Sequence, residues 1–132
     1  MRGNSMFVLD TDIVIWILRG DRKVISSVDK LIDNDRTGIS TITIAEVYKY
    51  TFPSELHKNE DVINHQELFS VTKEIAVQAG LYWNQYHKKL LRLSLSDTIV
   101  AATCRSENCQ LLTLNTRHFP MTDIKVLNPL KP

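Results

Sequence analysis

The sequence predicts an α/β fold: a three-layer sandwich around a central, mostly parallel sheet of four or five strands. Two observations predict it. Short apolar, β-favouring runs ("MFVL", "GISTIT", "ELFSVT", "QLLTLN" and "IKVL") alternate with longer stretches whose apolar residues recur at helical spacing. Such alternation of strands and helices is the pattern of helices covering both faces of a parallel sheet. In addition, 132 residues with 43% hydrophobic and 23% charged content suit one soluble domain with a single core, expected over residues 6–132.

The elements follow in order. Residues 6–9 form a buried strand that stops at Asp10. Residues 13–18 are apolar on every side, which predicts a fully buried helix ending near Gly20. Val24, Ile25, Val28, Leu31 and Ile32 share one helical face, with Gly38 expected to close that segment. "GISTIT" is a second buried strand passing into a helix over 42–52, and the β-branched residues of 39–44 leave the boundary between them open. Pro53 ends or interrupts this helix, and 54–66 is polar and loosely helical. "ELFSVT" is the third strand. Ile75, Ala79, Tyr82, Trp83, Tyr86 and Leu90 define the longest helix, over 73–91. "SLSD" supplies cap chemistry for a small-residue helix, "TIVAATC", suited to close packing. "QLLTLN" is the fourth strand and "IKVL" a short fifth.

A formal net charge of +1 favours no class of charged partner in bulk, although a local basic patch stays open. Cys104 and Cys109 fit no zinc spacing and make no disulfide framework, so a reduced, cytoplasmic setting is expected. No apolar run reaches the roughly 18 residues of a membrane span. "MRGNS" has no apolar segment of its own and reads as a natural extension or a cloning remnant, with Met6 a plausible start.

Chemistry in a parallel α/β sheet gathers at the carboxyl ends of the strands. Asp10 closes the first strand. Glu46 lies about one turn into the helix after the second. Asp97 opens the helix that leads to the fourth strand, and Asn115 closes that strand. Three carboxylates and an amide therefore converge by topology. One step is awkward: a helix over 73–91 descending from a parallel third strand leaves few residues in which to climb back to Asp97. Each acid also has an ordinary role open to it. Asp10 and Asp12 could cap the following helix, Asp12 and Glu46 could face solvent, and Asp97 could complement a helix dipole. Together, however, crowded carboxylates repel and take up protons unless a cation sits among them. Oxygen donors without His or Cys select a hard divalent ion, Mg²⁺ or Mn²⁺. No Ser or Cys nucleophile with a partnering His is evident, which leaves metal-assisted hydrolysis as the natural reaction class.

"FVLDTDIVIWIL", "ISTITIAEV", "LSLSDTIVAAT" and "LLTLNTRHF" occur in the order and spacing of PIN-domain ribonucleases, and the chain after Met6 most resembles the VapC-type toxins of toxin–antitoxin pairs. The resemblance implies a PIN-like fold and endonucleolytic hydrolysis of RNA to 5′-phosphate and 3′-hydroxyl ends, with tRNA, rRNA or other structured RNA as substrate. It makes Asp10, Glu46 and Asp97 the acidic metal ligands. Ser40 and Thr43 would support Glu46 or the strand end, or else serve ordinary turn and cap bonding. Asp12 occupies a position that is often polar in the family and could touch a metal-bound water. Thr113 matches the family's hydroxyl near the site, or faces solvent as a strand residue. Asn115 stands where many members carry a fourth acid; its amide oxygen can coordinate without adding charge, which puts a second metal in doubt.

Lys49, His87, Lys88, Lys89, Arg92, Arg117 and His118 could meet phosphates, with "HKKLLR" the best cluster; singly, each also fits a solvated face. Tyr48, Tyr50 and Phe52 could stack bases, but fit core or partner packing better. The resemblance further implies a homodimer, or a larger toxin–antitoxin assembly, held by a cognate VapB-type antitoxin. The antitoxin's tail would lie in an apolar groove walled by residues 42–56 and the following loop. The stretch between Glu46 and the third strand looks short for the helical pair such toxins carry there. Two rivals remain. One is a PIN fold turned binding module for RNA or protein, with Asn115 as the sign of lost catalysis. The other is a HAD-type phosphatase, whose opening motif "FVLDTDIV" also resembles. That chemistry needs a later Lys and a further acidic pair, and no adjacent acidic pair with a glycine follows "LLTLN".

Overall fold

The central strand is the first in sequence. In a computed structural model, which describes residues 6–33 and 35–131, β1 (Met6–Leu9) pairs in parallel with β2 (Arg36–Ser40) on one side and β4 (Gln110–Leu112) on the other. β3 (Glu67–Phe69) and β5 (Val126–Leu127) complete an all-parallel sheet of order β3-β2-β1-β4-β5. The "MRGNS" segment lies outside the described residues.

The strand period of two divides the core. Phe7 and Leu9 of β1 face a cluster with Ile39, Leu112 and the first four helices: α1 (Thr11–Leu18), α2 (Arg22–Ile32), α3 (Thr41–Tyr48) and α4 (Leu56–Asn64). Val8 and Leu111 face the opposite way, onto α5 (Lys73–Tyr86) and α6 (Leu95–Glu107). The result is the expected three-layer sandwich. Among the described residues no helix is long and apolar enough to cross a membrane.

Several boundaries differ from the sequence expectation. Gly38 does not close α2. That helix ends at Asp33, whose φ of 46° breaks the helical path, and Gly38 lies inside β2. The absence of a side chain there lets β3 approach: a Cβ on Gly38 would stand 2.6 Å from Phe69 Cε2 and 2.9 Å from the Glu67 carbonyl oxygen. Gly20 does end α1 in the left-handed region, with φ of 73°. α3 stops at Tyr48, and a 3-10 turn over Pro53–Glu55 leads into α4, so a helical pair does fit between Glu46 and β3.

The predicted long helix stops at Tyr86, which resolves the awkward step. The Tyr82 hydroxyl donates to Asp123 at 2.7 Å, in the segment just before β5. Arg105, near the end of α6, pairs with the same carboxylate. Tyr82 is therefore near the amino edge of the sheet. The chain climbs through the end of α5 and the turns of 87–94 to Ser94, which caps α6 at the carboxyl edge. Along α6 the buried hydroxyls of Thr98 and Thr103 donate to the carbonyls of Leu95 and Ile99, so small residues pack densely without stranding a polar group.

Gly38→Ala is expected to lower stability by about 1–3 kcal/mol through the clash with the Glu67 carbonyl. Urea unfolding checks it, and an unchanged midpoint would refute the close approach.

Candidate active site

The last residue before α1 does two jobs. Asp10 has extended backbone (ψ 160°) and caps α1: Oδ1 accepts from the Thr11 N–H at 2.9 Å. Oδ2 accepts from the hydroxyl of the fully buried Thr113 at 2.8 Å. The capping role and the position at the strand end are thus compatible, and only 8% of Asp10 is exposed.

Asp12 turns to β4 rather than to solvent. Oδ1 accepts from the Ile13 N–H at 2.7 Å. Oδ2 accepts from the Leu114 N–H at 3.0 Å and the Asn115 Nδ2 at 3.3 Å, with the Thr113 hydroxyl at 3.4 Å. Glu46 is not a free surface acid either. Oε1 accepts from the Thr11 hydroxyl at 2.5 Å and Oε2 from the Ser96 hydroxyl at 3.0 Å. Asp97 forms a capping box with Ser94: its N–H donates to Ser94 Oγ at 3.1 Å, and its Oδ2 accepts from the Ser94 N–H at 3.3 Å. His118 Nδ1 lies 3.8 Å from the same oxygen.

These acids feel one another. Burial, then the charges of Asp12 and Asp97, raise Asp10 to about 7. Burial and the Asp97 charge raise Asp12 against its backbone hydrogen bonds. Asp97 is raised by burial and by Glu46, partly offset by Ser94 and His118. Among the described residues, His118 is the one basic group paired with any of the four. The donor set of carboxylate and hydroxyl oxygens suits a hard divalent cation. As the side chains stand, however, no three His, Cys, Asp or Glu among the described residues converge closely enough to hold an ion. Their oxygens are engaged by separate hydroxyl and N–H donors.

The supporting residues fall into place unevenly. Ser40 caps α3 through the Ile42 N–H at 3.2 Å. Thr43 is fully buried, with its hydroxyl 3.1 Å from that of Thr11. Asn115 points its Nδ2 at Asp12. Arg92, Arg117 and His118 share a cleft of about 620 Å³ with Asn115. Lys88 and Lys89 are exposed in the turns after α5, outside that cleft's lining. His87 stacks on Trp83 at 3.9 Å, and Lys49 lies over the Tyr50 ring at 4.8 Å. Thr11, Ser94 and Ser96 were not singled out from the sequence as site residues. The signal was present in "DTD" and "SLSD", where hydroxyls sit beside the acids, but the serines read simply as caps.

A parallel sheet of this order, with acids crowded at its carboxyl edge, defines the PIN class of α/β domain. The sequence model of the PIN domain matches residues 7–125. Ribonuclease VapC10 of Mycobacterium tuberculosis is 31% identical over 119 residues, covering 88% of this chain and 87% of that protein. Ribonuclease VapC1 of Haemophilus influenzae is 28% identical over 127 residues, covering 91% and 95%. The structure of VapBC-1 from nontypeable Haemophilus influenzae superposes with a TM-score of 0.78 at 24% identity, covering 96% and 99% of the two chains, a likeness of fold. The chain belongs to the PIN-domain family and, within it, to the VapC ribonucleases: it is an RNA-hydrolysing nuclease. The phosphatase reading falls with that assignment.

A pH dependence follows from the shifted acids. The folded Asp10 keeps its proton up to about pH 7, whereas the unfolded side chain releases it near 4. Between these values the folded state binds more protons, so stability falls as pH rises through that window. Asp10→Asn, which keeps the cap and removes the charge, is expected to flatten this slope in EDTA. At pH 8 it should be more stable than the parent by on the order of 1–3 kcal/mol. Denaturant titrations at pH 4–8 check this; equal slopes would refute it.

Proposed function

We propose that this protein is an endoribonuclease toxin whose hydrolysis of RNA requires Mg²⁺ or Mn²⁺, held by Asp10, Glu46 and Asp97 with Asn115 beside them. The observation that carries the reading is the mutual repulsion of Asp10, Asp12, Glu46 and Asp97 at the end of the central strand, with His118 as the sole basic partner among the described residues. When bound, such an ion supplies an activated water and charge compensation at the departing oxygen.

The chain's own groups do the rest. Thr113 orients Asp10, and Thr11 and Ser96 orient Glu46. Asn115 contributes an amide in place of a charge. It favours one ion over two, because a neutral ligand offsets less of a second divalent charge. The products would be a 5′-phosphate and a 3′-hydroxyl.

The second part of the reading is a small antitoxin of the VapB type, within a homodimeric or larger cytoplasmic assembly. A groove of about 450 Å³ runs between α1, α3 and α4, lined by Ile15, Leu18, Val47, Tyr50 and Phe52 among others. Tyr50 and Phe52 are 75% and 69% exposed, which fits rings waiting for an apolar partner better than rings buried in a core. A non-cutting RNA-binding PIN fold is the second reading, favoured by Asn115 and by the separated carboxylates. The same assay distinguishes the two.

Purified protein should cleave RNA with Mg²⁺ or Mn²⁺ and stop in EDTA. Asp10→Asn and Asp97→Asn should each lower the rate about 100-fold or more while the far-UV spectrum is kept. Mn²⁺ should raise the melting temperature of the parent by a few degrees, and that of Asp10→Asn by less. Full activity in both variants would refute the ligand set. Tagged protein from the native host should co-purify a small antitoxin-sized chain. Phe52→Glu should lose it while cleaving RNA as before, and retention would refute the groove assignment.

A further inference from the structure

The cleft beside the acids is built from three separate stretches of chain. Arg92 comes from the climb before α6, Thr116, Arg117 and His118 from the 3-10 turn after β4, and Asn128 and Lys131 from the turn after β5. Its lining holds three full positive charges and an imidazole, and no Asp or Glu. By contrast, the groove between α1, α3 and α4 contains Glu55 and the hollow along α2 contains Asp29. Among the described residues none of Arg92, Arg117 and Lys131 is held in an ion pair, so all three are available to an outside anion.

The walls are ordered by hydrogen bonds. The Asn128 side chain accepts from the Leu130 N–H at 2.9 Å and donates to the Leu114 carbonyl at 3.5 Å, while its carbonyl accepts from the Lys131 N–H at 3.0 Å. The turn that presents Lys131 is thereby fastened to the end of β4. The Asn115 carbonyl accepts from the His118 N–H at 3.0 Å, which shapes the turn carrying Arg117. The cleft also abuts the acids directly. Two of its lining residues touch them: His118 lies 3.8 Å from Asp97, and Asn115 donates to Asp12 at 3.3 Å.

We propose that this cleft is the phosphate grip of the RNA site, holding the backbone of the substrate strand immediately beside the scissile bond, with Arg92, Arg117 and Lys131 as its cations. The inference rests on the ribonuclease reading and adds a direction to it. The strand leaves the acids along the β4–β5 side of the sheet edge. The β2–β3 side of the edge has no part in the grip. Two guanidinium groups can each take a phosphate bidentately, and the lysine adds a point charge. Such contacts position the strand without reading its bases.

The test has two arms on the full chain. In EDTA, where no divalent ion can bridge protein and phosphate, binding of a fluorescein-labelled, mixed-sequence single-stranded RNA is followed by anisotropy across a salt series. With Mn²⁺, cleavage of the same RNA gives KM and kcat. The triple variant Arg92→Ala, Arg117→Ala, Lys131→Ala is expected to bind about 10- to 100-fold more weakly. Its log–log salt slope should be shallower by about 2, at about 0.7 per lost phosphate contact. In the cleavage arm the loss should fall mainly on KM, and the melting temperature should hold. Arg22→Ala, Lys30→Ala, which removes the same type of charge from the α2 hollow, should match the parent. Unchanged affinity and salt slope in the triple variant, beside a parent that still cleaves, overturns the cleft and leaves the ribonuclease reading intact. A parent that binds RNA with the expected slope but does not cut it keeps the cleft and overturns catalysis. A parent that does neither overturns both.

Discussion

Everything at the working edge of this molecule depends on one electrostatic constraint: four carboxylates are brought to the end of a buried strand without a matching set of cations. Asp10, Asp12 and Asp97 are all pushed toward protonation, burial first and each other's charge second. The fold answers with neutral donors. Thr11, Ser94, Ser96 and Thr113 and the first N–H groups of two helices supply the hydrogen bonds that make the arrangement tolerable. Donors of this kind soften repulsion without cancelling charge, so the edge stays electronegative. A lysine in their place would have cancelled part of that charge.

The alternation of strands and helices, and the acids' common edge, were legible because both rest on local signals: a period of two against a period of 3.6, and residue type at the ends of strands. β2, β3 and β4 end before their apolar runs do, whereas β1 spans its run in full and β5 starts two residues late. Buried Thr113 and half-buried Leu114 still pack inward after β4 has stopped. Gly38 was misread because a glycine after a helix-like segment resembles a terminator. Its actual role, admitting Phe69 and Glu67 from a strand some thirty residues away, has no local signature. Thr11 and Ser96 were missed for a similar reason: their partner, Glu46, is distant in sequence. Of the basic residues, Arg92 and Arg117 belong with His118, whereas Lys88 and Lys89, in the same "HKKLLR" run as Arg92, do not.

The flanks of the edge differ in character. Toward β5 the surface is cationic and polar, and toward α1, α3 and α4 aliphatic and aromatic side chains are mixed with Arg19, Glu55 and Lys58. Hydrophobic contact and phosphate neutralisation draw on different physics, one insensitive to salt and the other governed by it. A nuclease that must meet both a polyanion and a protein partner gains from keeping the two surfaces apart.

Asp12 links those flanks in a way that its neighbour Asp10 does not. Its carboxylate clasps the first turn of α1 and the exit of β4 at once, so the helix start is tied to the cleft wall. The far end of α1, eight residues in all, contributes Ile15 and Leu18 to the apolar groove. The helix is therefore a stiff rod about 12 Å long, with one tip in each compartment. A protein seated in that groove therefore rests on the same helix that Asp10 caps and whose first turn carries Asp12.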